Sequence, residues 1–220
     1  MMDRSGRLPD VKARRQWIVK SIGRGKAVLE LGCGTGDLGA QVRAKNNEVY
    51  ALDINPQAVS AAQQKGLMAK ESDLNEGIPF QDASFDAIFG DGILECIYDT
   101  KHLFQECHRV LKSNGLLIFS APNINSLRNR WRILSGAYAE GLGVYPDDHS
   151  GHIIRSFNYS KITELARLTG FEVLEVKGAT LNQDQSLLLK TLKPLSRYYP
   201  RFASLLLMKF RKLQDGNLLP

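Results

Sequence analysis

Residues 27–36 read Ala27-Val28-Leu29-Glu30-Leu31-Gly32-Cys33-Gly34-Thr35-Gly36. A short apolar run ending in alternating glycines is the pattern of a buried strand that turns sharply into a helix. Glycines there let the chain turn without a side-chain clash and bring the backbone close to a ligand, and the helix that follows offers free N–H groups. The spacing is G-x-G-x-G. The third glycine of a G-x-G-x-x-G dinucleotide fingerprint falls on Asp37, so the loop departs from the dehydrogenase pattern.

Outward from this stretch, strand and helix patterns alternate. Val11, Arg14, Arg15, Ile18 and Ile22 fall at helical spacing, so Asp10–Ile22 reads as a short helix. Downstream come a helix over Leu38–Lys45, a strand over Glu48–Leu52 closed by Asp53, and a helix with Asn55 as cap and Pro56 at its first position. Strands follow at Leu67–Glu71, Phe85–Phe89 and Leu116–Ser120, with a helix over Leu103–Leu111 that Ser113-Asn114-Gly115 ends. This alternation predicts βαβ units and a doubly wound, parallel α/β sheet. After Pro122 the rhythm changes, and residues 123–157 read as a cap insertion around a helix over Ser126–Leu134. A helix over Ser160–Thr169, a strand over Phe171–Val176, a helix over Leu192–Tyr199 and a strand over Ser204–Phe210 complete the reading of residues 1–220 as one domain.

Of 220 residues, 43% are hydrophobic and 24% charged, which excludes disordered, collagenous and disulfide-scaffold classes and predicts an ordinary soluble globular protein. The charged N-terminus has no apolar signal region, no run is long enough to span a membrane, and three sparse cysteines suit a reducing compartment, so a cytoplasmic protein is expected. Charge is segregated. Residues 1–26 hold eight Lys/Arg against two Asp/Glu, residues 27–122 seven against thirteen, and residues 123–220 fourteen against eight. An acidic middle between basic ends does not suit a phosphate-backbone channel, and no nucleic-acid partner is expected. The tail from Gln185 to Gln214 carries seven Lys/Arg and no Asp/Glu, and can meet an anionic membrane surface or serve as a solvated helix and a buried last strand.

The candidate chemistry sits at strand ends. Asp53 lies at the tip of the second strand, where a carboxylate can accept hydrogen bonds from both hydroxyls of a ribose, or simply favour the helix N-terminus ahead of Pro56. Asp73, after the third strand, can face an exocyclic amine. Cys33 and Cys107 read as packing residues. His149 and His152 are three apart with Arg155 following, and without carboxylates or further histidines they make no metal site. The cap helix spaces Leu127, Trp131 and Leu134 along one apolar face, so Trp131 and Tyr145 can wall an apolar pocket or pack the cap onto the sheet.

With these residues in place, the chain from about Ala27 to Val176 resembles the class I S-adenosylmethionine-dependent methyltransferases. The resemblance rests on Val28–Gly36, on Tyr50-Ala51-Leu52-Asp53, on Ser84-Phe85-Asp86-Ala87-Ile88 and on Arg109-Val110-Leu111-Lys112-Ser113-Asn114-Gly115. It implies a Rossmann-like, seven-stranded sheet with the last strand antiparallel, and S-adenosyl-L-methionine as cofactor. It also implies that Gly32, Gly34 and Gly36 line the methionine moiety, that Asp53 holds the ribose and that Asp73 lies near the adenine, with Glu30, Cys33, Ile54, Leu74 and Gly90 completing the cofactor site.

Within the class the chain is similar to the small-molecule branch, the UbiE/UbiG-like and MetW-like proteins, through His149–Phe157 and Thr169-Gly170-Phe171. Where many of those carry a histidine after the fourth strand, this chain has Glu95-Cys96. The Asp/Asn-Pro-Pro-Tyr/Phe motif of enzymes that methylate amino groups of DNA or protein glutamine is replaced by Phe89-Gly90-Asp91-Gly92-Ile93. The expected acceptor is therefore a small or lipid-like molecule, with His149 or His152 as base and Glu95, Trp131, Tyr145 and Arg155 on the acceptor side. The competing readings are a binding module that holds the cofactor without chemistry, and a dehydrogenase.

Overall fold

The computed structural model describes residues 9–139, 153–179 and 199–214. In chain order the elements are α1 (Pro9–Ile22), β1 (Ala27–Leu31), α2 (Asp37–Arg43), β2 (Glu48–Asp53), α3 (Pro56–Gln64), β3 (Met68–Glu71), β4 (Phe85–Asp91), α4 (Thr100–Val110), β5 (Leu111–Pro122), α5 (Leu127–Leu134), α6 (Tyr159–Leu168), β6 (Phe171–Ala179) and β7 (Leu205–Lys212). Short 3-10 turns at Leu94–Cys96 and Pro200–Phe202 follow β4 and precede β7.

The seven strands form one sheet in the order β3-β2-β1-β4-β5-β7-β6. β1 pairs in parallel with both β2 and β4, β3 and β5 extend the parallel part, and β7 runs antiparallel to β5 and β6. The expected seven-stranded sheet with an antiparallel last strand is therefore present. Successive strand residues alternate between the two faces, and both faces are covered. Val28, Val49, Ala51, Ala87, Phe89 and Ile118 pack under α1, α2 and α3, whereas Leu29, Leu31, Leu52, Ile88 and Phe119 join Phe104, Phe171 and Phe210 on the other side.

Several terminations follow the sequence signals. Asn55 caps α3 by accepting from the Gln57 amide, with Pro56 in the first turn. Asp99 caps α4 and Asn158 caps α6 in the same way. Arg109, at the end of α4, donates to the carbonyls of Ile78 and Phe80 and to Asp82 and Glu106, so one guanidinium ties α4 to the connection before β4.

Two differences from the sequence reading, the start of β5 and the face that α5 exposes, have physical causes. β5 begins at Leu111, directly after α4, so Ser113-Asn114-Gly115 lies inside the strand rather than ending a helix. The register with β4 shifts between Phe85 and Ala87, and Asn114 takes φ 62°, as a bulge requires. The helix expected at Leu192–Tyr199 falls on residues 192–198, outside the described residues. The cap is described at 123–139 and 153–157, where Asn123 and Phe157 form a parallel bridge. In α5 the buried residue is Asn129, while Trp131 and Leu134 are 56% and 81% exposed. The expected apolar face of α5 is thus turned to solvent. Asn129 goes inside because its side-chain amide donates to the Ile124 carbonyl and its backbone N–H bonds to Ser126 Oγ.

Candidate functional site

The strand order reverses at β1, whose neighbours β2 and β4 lead away on either side, and ligands of open α/β sheets bind outside the carboxyl ends of the strands at this point. The loop after β1 is held there by backbone bonds from Gly32 and Cys33 to the Leu52 carbonyl at the end of β2. Gly36 has φ 76°, and a Cβ on it would lie 2.8 Å from the Ala62 Cα of α3, so only glycine lets the loop pass α3 this closely. Gly34 also has positive φ, 50°, but a Cβ there would meet nothing within 4 Å, so its surface faces open space.

Asp53 closes on this loop. One carboxylate oxygen accepts from the Gly34 amide at 2.8 Å and the other from the Asn55 amide at 3.0 Å. Each oxygen keeps a further lone pair, which is what a pair of ribose hydroxyls needs. Ile54 beside it is 63% exposed. At the end of β3, Asp73 accepts from the Asn75 backbone and side chain, and Leu74 is buried. Asn75 in turn accepts from the Tyr98 amide, which ties this corner to the chain after β4.

Glu30 lies inside β1 and is buried, with its Oε2 lacking any hydrogen-bond partner. Burial, and next the Asp91 charge, push its carboxyl up to about 8, against the opposing pull of the Gly39 amide and Arg15. The carboxyl fills the space a Cβ on Gly39 would take, in the first turns of α2. Burial likewise pushes the Cys33 thiol up to about 12, which makes it a poor nucleophile and agrees with a packing role.

The end of β4 carries groups that the sequence reading did not single out. Arg14 of α1 pairs with Asp91 at 3.0 Å, and both side chains are largely buried. Asp91 also accepts a short hydrogen bond from Ser120 of β5. Ile93 packs against Gly90 and Gly32, where a Cβ on either glycine would strike it. The 3-10 turn then brings Glu95 into the same cluster. Its Oε2 is buried without a partner, and burial foremost, with Asp91 next among the groups that raise it, lifts the carboxyl while Arg14 opposes. The Glu95 carbonyl accepts from the Ile154 and Arg155 amides, and the Arg155 guanidinium donates to the Tyr98 carbonyl and stacks over the Tyr98 ring at 5.2 Å. Residues 154–155 therefore strap over the turn that holds Glu95.

Of the residues expected on the acceptor side, Glu95 and Arg155 meet here, and Trp131 stands exposed on α5. Tyr145, His149 and His152 lie outside the described residues. The signal for Arg14 was present as basic residues in the first helix, but nothing local tied them to Asp91, 77 positions away. Among the described residues no group of three or more His, Cys, Asp or Glu can hold a metal ion.

The groups present fit S-adenosyl-L-methionine. A glycine cradle faces open space at Gly34, Asp53 presents acceptors for a diol, and the buried carboxyl of Glu30, whose Oε2 has no partner, can accept from the ammonium of the methionine moiety once it gives up its proton. Comparison with known proteins agrees. The profile of a methyltransferase domain family matches residues 22–167. The chain is 33% identical over 116 residues to a malonyl-[acyl-carrier protein] O-methyltransferase of Coxiella burnetii, covering 52% of this chain and 38% of that one. It is 26% identical over 185 residues to a ubiquinone biosynthesis O-methyltransferase of Pseudomonas syringae pv. tomato, covering 80% and 72%. Among the curated relatives it matches, the chain spans as little as 22% of the relative's length. In fold it is similar to an S-adenosylmethionine-dependent methyltransferase from Methanosarcina mazei, with a TM-score of 0.67, 19% identity, and coverage of 90% of this chain and 98% of that one. The chain belongs to the methyltransferase domain family, with S-adenosyl-L-methionine as its cofactor.

Proposed function

We propose that this chain methylates a small or lipid-like acceptor and that Glu95 takes up the acceptor's proton. The single observation that carries the role of Glu95 is its buried, unpartnered carboxyl oxygen at the carboxyl end of β4, beside the strap formed by Ile154 and Arg155. S-adenosylmethionine supplies an electrophilic methyl group on a sulfonium that is already a good leaving group. The protein's share is orientation, exclusion of water and handling of one proton. Asp53 and the glycine loop orient the nucleoside. Glu30 receives the ammonium group of the methionine moiety, and Arg14, paired with Asp91, meets its carboxylate. A desolvated carboxyl such as Glu95 is a stronger base than a solvated one, which suits an oxygen or nitrogen acceptor at neutral pH. The exposed apolar side chains of Tyr98 and Ile154 flank it and favour an acceptor with an apolar body.

Two relatives support an oxygen acceptor through their names, one acting in ubiquinone biosynthesis and one on malonyl-[acyl-carrier protein]. His149 and His152 remain the alternative bases. The test is turnover of methyl-labelled S-adenosylmethionine against catechol, benzoquinol and malonyl-thioester acceptors. Glu95→Gln lowers kcat by roughly a hundredfold while the cofactor Kd stays within about twofold. Full turnover in Glu95→Gln with a hundredfold loss in His149→Ala or His152→Ala moves the base to the histidines. Binding of the cofactor without turnover of any acceptor favours a module that only holds it.

A further inference from the structure

Soluble helices bury apolar residues and expose polar ones, and α5 does the reverse. Its buried residue is Asn129, while Trp131 is 56%, Ile133 60% and Leu134 81% exposed, and Tyr138, held beside the helix by the Arg132 bond to its carbonyl, is 55% exposed. Trp131 and Leu134 lie one turn apart on a common face. Arg128, Arg130 and Arg132 alternate with these apolar residues, and residues 123–139 contain no Asp or Glu.

The neighbouring chain has the same character. Arg130 stacks over Phe202 at 4.9 Å, Phe202 packs on the exposed Tyr199, and residues 199–214 also contain no Asp or Glu. The patch is therefore apolar and cationic together, a combination that neither a buried protein core nor a purely electrostatic nucleic-acid site favours. Its position is informative. α5 leaves the carboxyl end of β5, whose Ser120 holds Asp91, and Asn123 anchors it to the start of β7 through the Arg201 and Ala203 carbonyls. The patch thus borders the same sheet edge as Glu95 and Asp53. Among the described residues no helix is long and apolar enough to cross a membrane.

We propose that α5 and the residues around it dock the protein on an anionic lipid surface, with Trp131, Ile133, Leu134 and Tyr138 entering the headgroup region and the flanking arginines meeting lipid phosphates. Aromatic and aliphatic side chains with interleaved arginines are what an interfacial helix presents to such a surface. Docking by this face points the edge that carries Glu95 toward the bilayer, and so deepens the lipid-like half of the reading above, although docking itself does not require that the acceptor be a lipid.

The experiment is co-sedimentation of the full chain with phosphatidylglycerol–phosphatidylcholine vesicles and with phosphatidylcholine vesicles. The emission of Trp131 is followed in a Trp17→Phe background, because the chain has only these two tryptophans. The expected result is at least tenfold stronger partition to the anionic vesicles, weakened by salt, with a blue shift of Trp131. Ile133→Ser/Leu134→Ser abolishes it with helix content and S-adenosylmethionine affinity unchanged. Equal partition of this double variant and the parent, or no binding to anionic vesicles, overturns the proposal. A parent dimer in sedimentation equilibrium that the double variant splits, without vesicle binding, assigns the face to a second copy instead. Vesicle binding without methyl transfer leaves docking standing while the catalytic reading fails, so the two are separable.

Discussion

Replacing Glu30 by Gln should make the protein more stable at neutral pH and worse at holding its cofactor. In the unfolded chain the Glu30 carboxyl titrates near 4.5, and in the fold near 8. Its raised value means that the folded state keeps a proton the unfolded state has released. Stability from this group is fully present below pH 4.5 and is lost as the pH rises toward 8. Each pH unit in that window costs about 1.4 kcal/mol, so by pH 7 the fold has lost about 3 kcal/mol to this residue. Gln has the shape of the protonated acid and no proton to lose. The stability difference between Glu30→Gln and the parent should thus grow by about 3 kcal/mol from pH 4 to pH 7, a gap of roughly 6–12 °C in Tm for a chain of this size, and level off above pH 8. Binding a cationic ammonium should reverse the preference, draw the proton off Glu30 and make parent affinity rise with pH up to about 8. Thermal unfolding of the cofactor-free proteins across pH 5–8.5 measures the first effect. Calorimetry in two buffers of different ionisation enthalpy measures the second as proton release, absent in Glu30→Gln. Parallel stability profiles of the two proteins would refute the buried, neutral Glu30, and an unchanged cofactor affinity would refute its role in the site.

Asp53→Ala should weaken S-adenosylmethionine binding by about 2–4 kcal/mol, because a charged acceptor of two hydrogen bonds is lost; an unchanged Kd with intact circular dichroism would remove it from the ribose site. Gly36→Ala should destabilise the fold by about 1–3 kcal/mol in urea unfolding, since φ 76° and a Cβ 2.8 Å from Ala62 combine strain with a backbone clash. Arg14→Gln leaves the Asp91 carboxylate without its cation and should cost about 1–3 kcal/mol, together with weaker cofactor binding in calorimetry. Glu106 is held down to about 2 by Arg109, so its contribution is present above pH 4.5 and lost as the pH falls toward 2; Glu106→Gln should cost about 1–2 kcal/mol at pH 7 and nothing in strong acid.

The parallel part of the sheet was legible because its signals are local. Val28-Leu29 and Ile88-Phe89 are buried on both faces, so each strand reads as an apolar run, and glycines after β1 and Asn-Pro after β2 punctuate the ends. The glycine loop and Asp53 were legible for the same reason, since a turn that needs positive φ shows in the sequence as glycine. The start of β5 was not, because Asn114 and Gly115 serve equally as a helix stop or as a bulge, and the choice depends on pairing with β4.

The order of elements, the glycine loop after β1 and the methyltransferase resemblance were readable along the chain. Each follows from residues close together along the chain. The electrostatic character of the site and the face that α5 presents came from the three-dimensional fold. The raised carboxyls of Glu30 and Glu95 depend on burial and on Asp91, against the pull of Arg15 on the first and Arg14 on the second, groups that α1, β1, β4 and the turn after β4 bring together from distant positions. An amphipathic pattern such as that of α5 reports that two faces differ but not which one meets the protein. Burying Asn129 requires partners from the Ile124 and Ser126 region, and once they hold it, Trp131 and Leu134 are left at the surface. Desolvation and packing are properties of the surroundings in three dimensions, so no reading along the chain contains them.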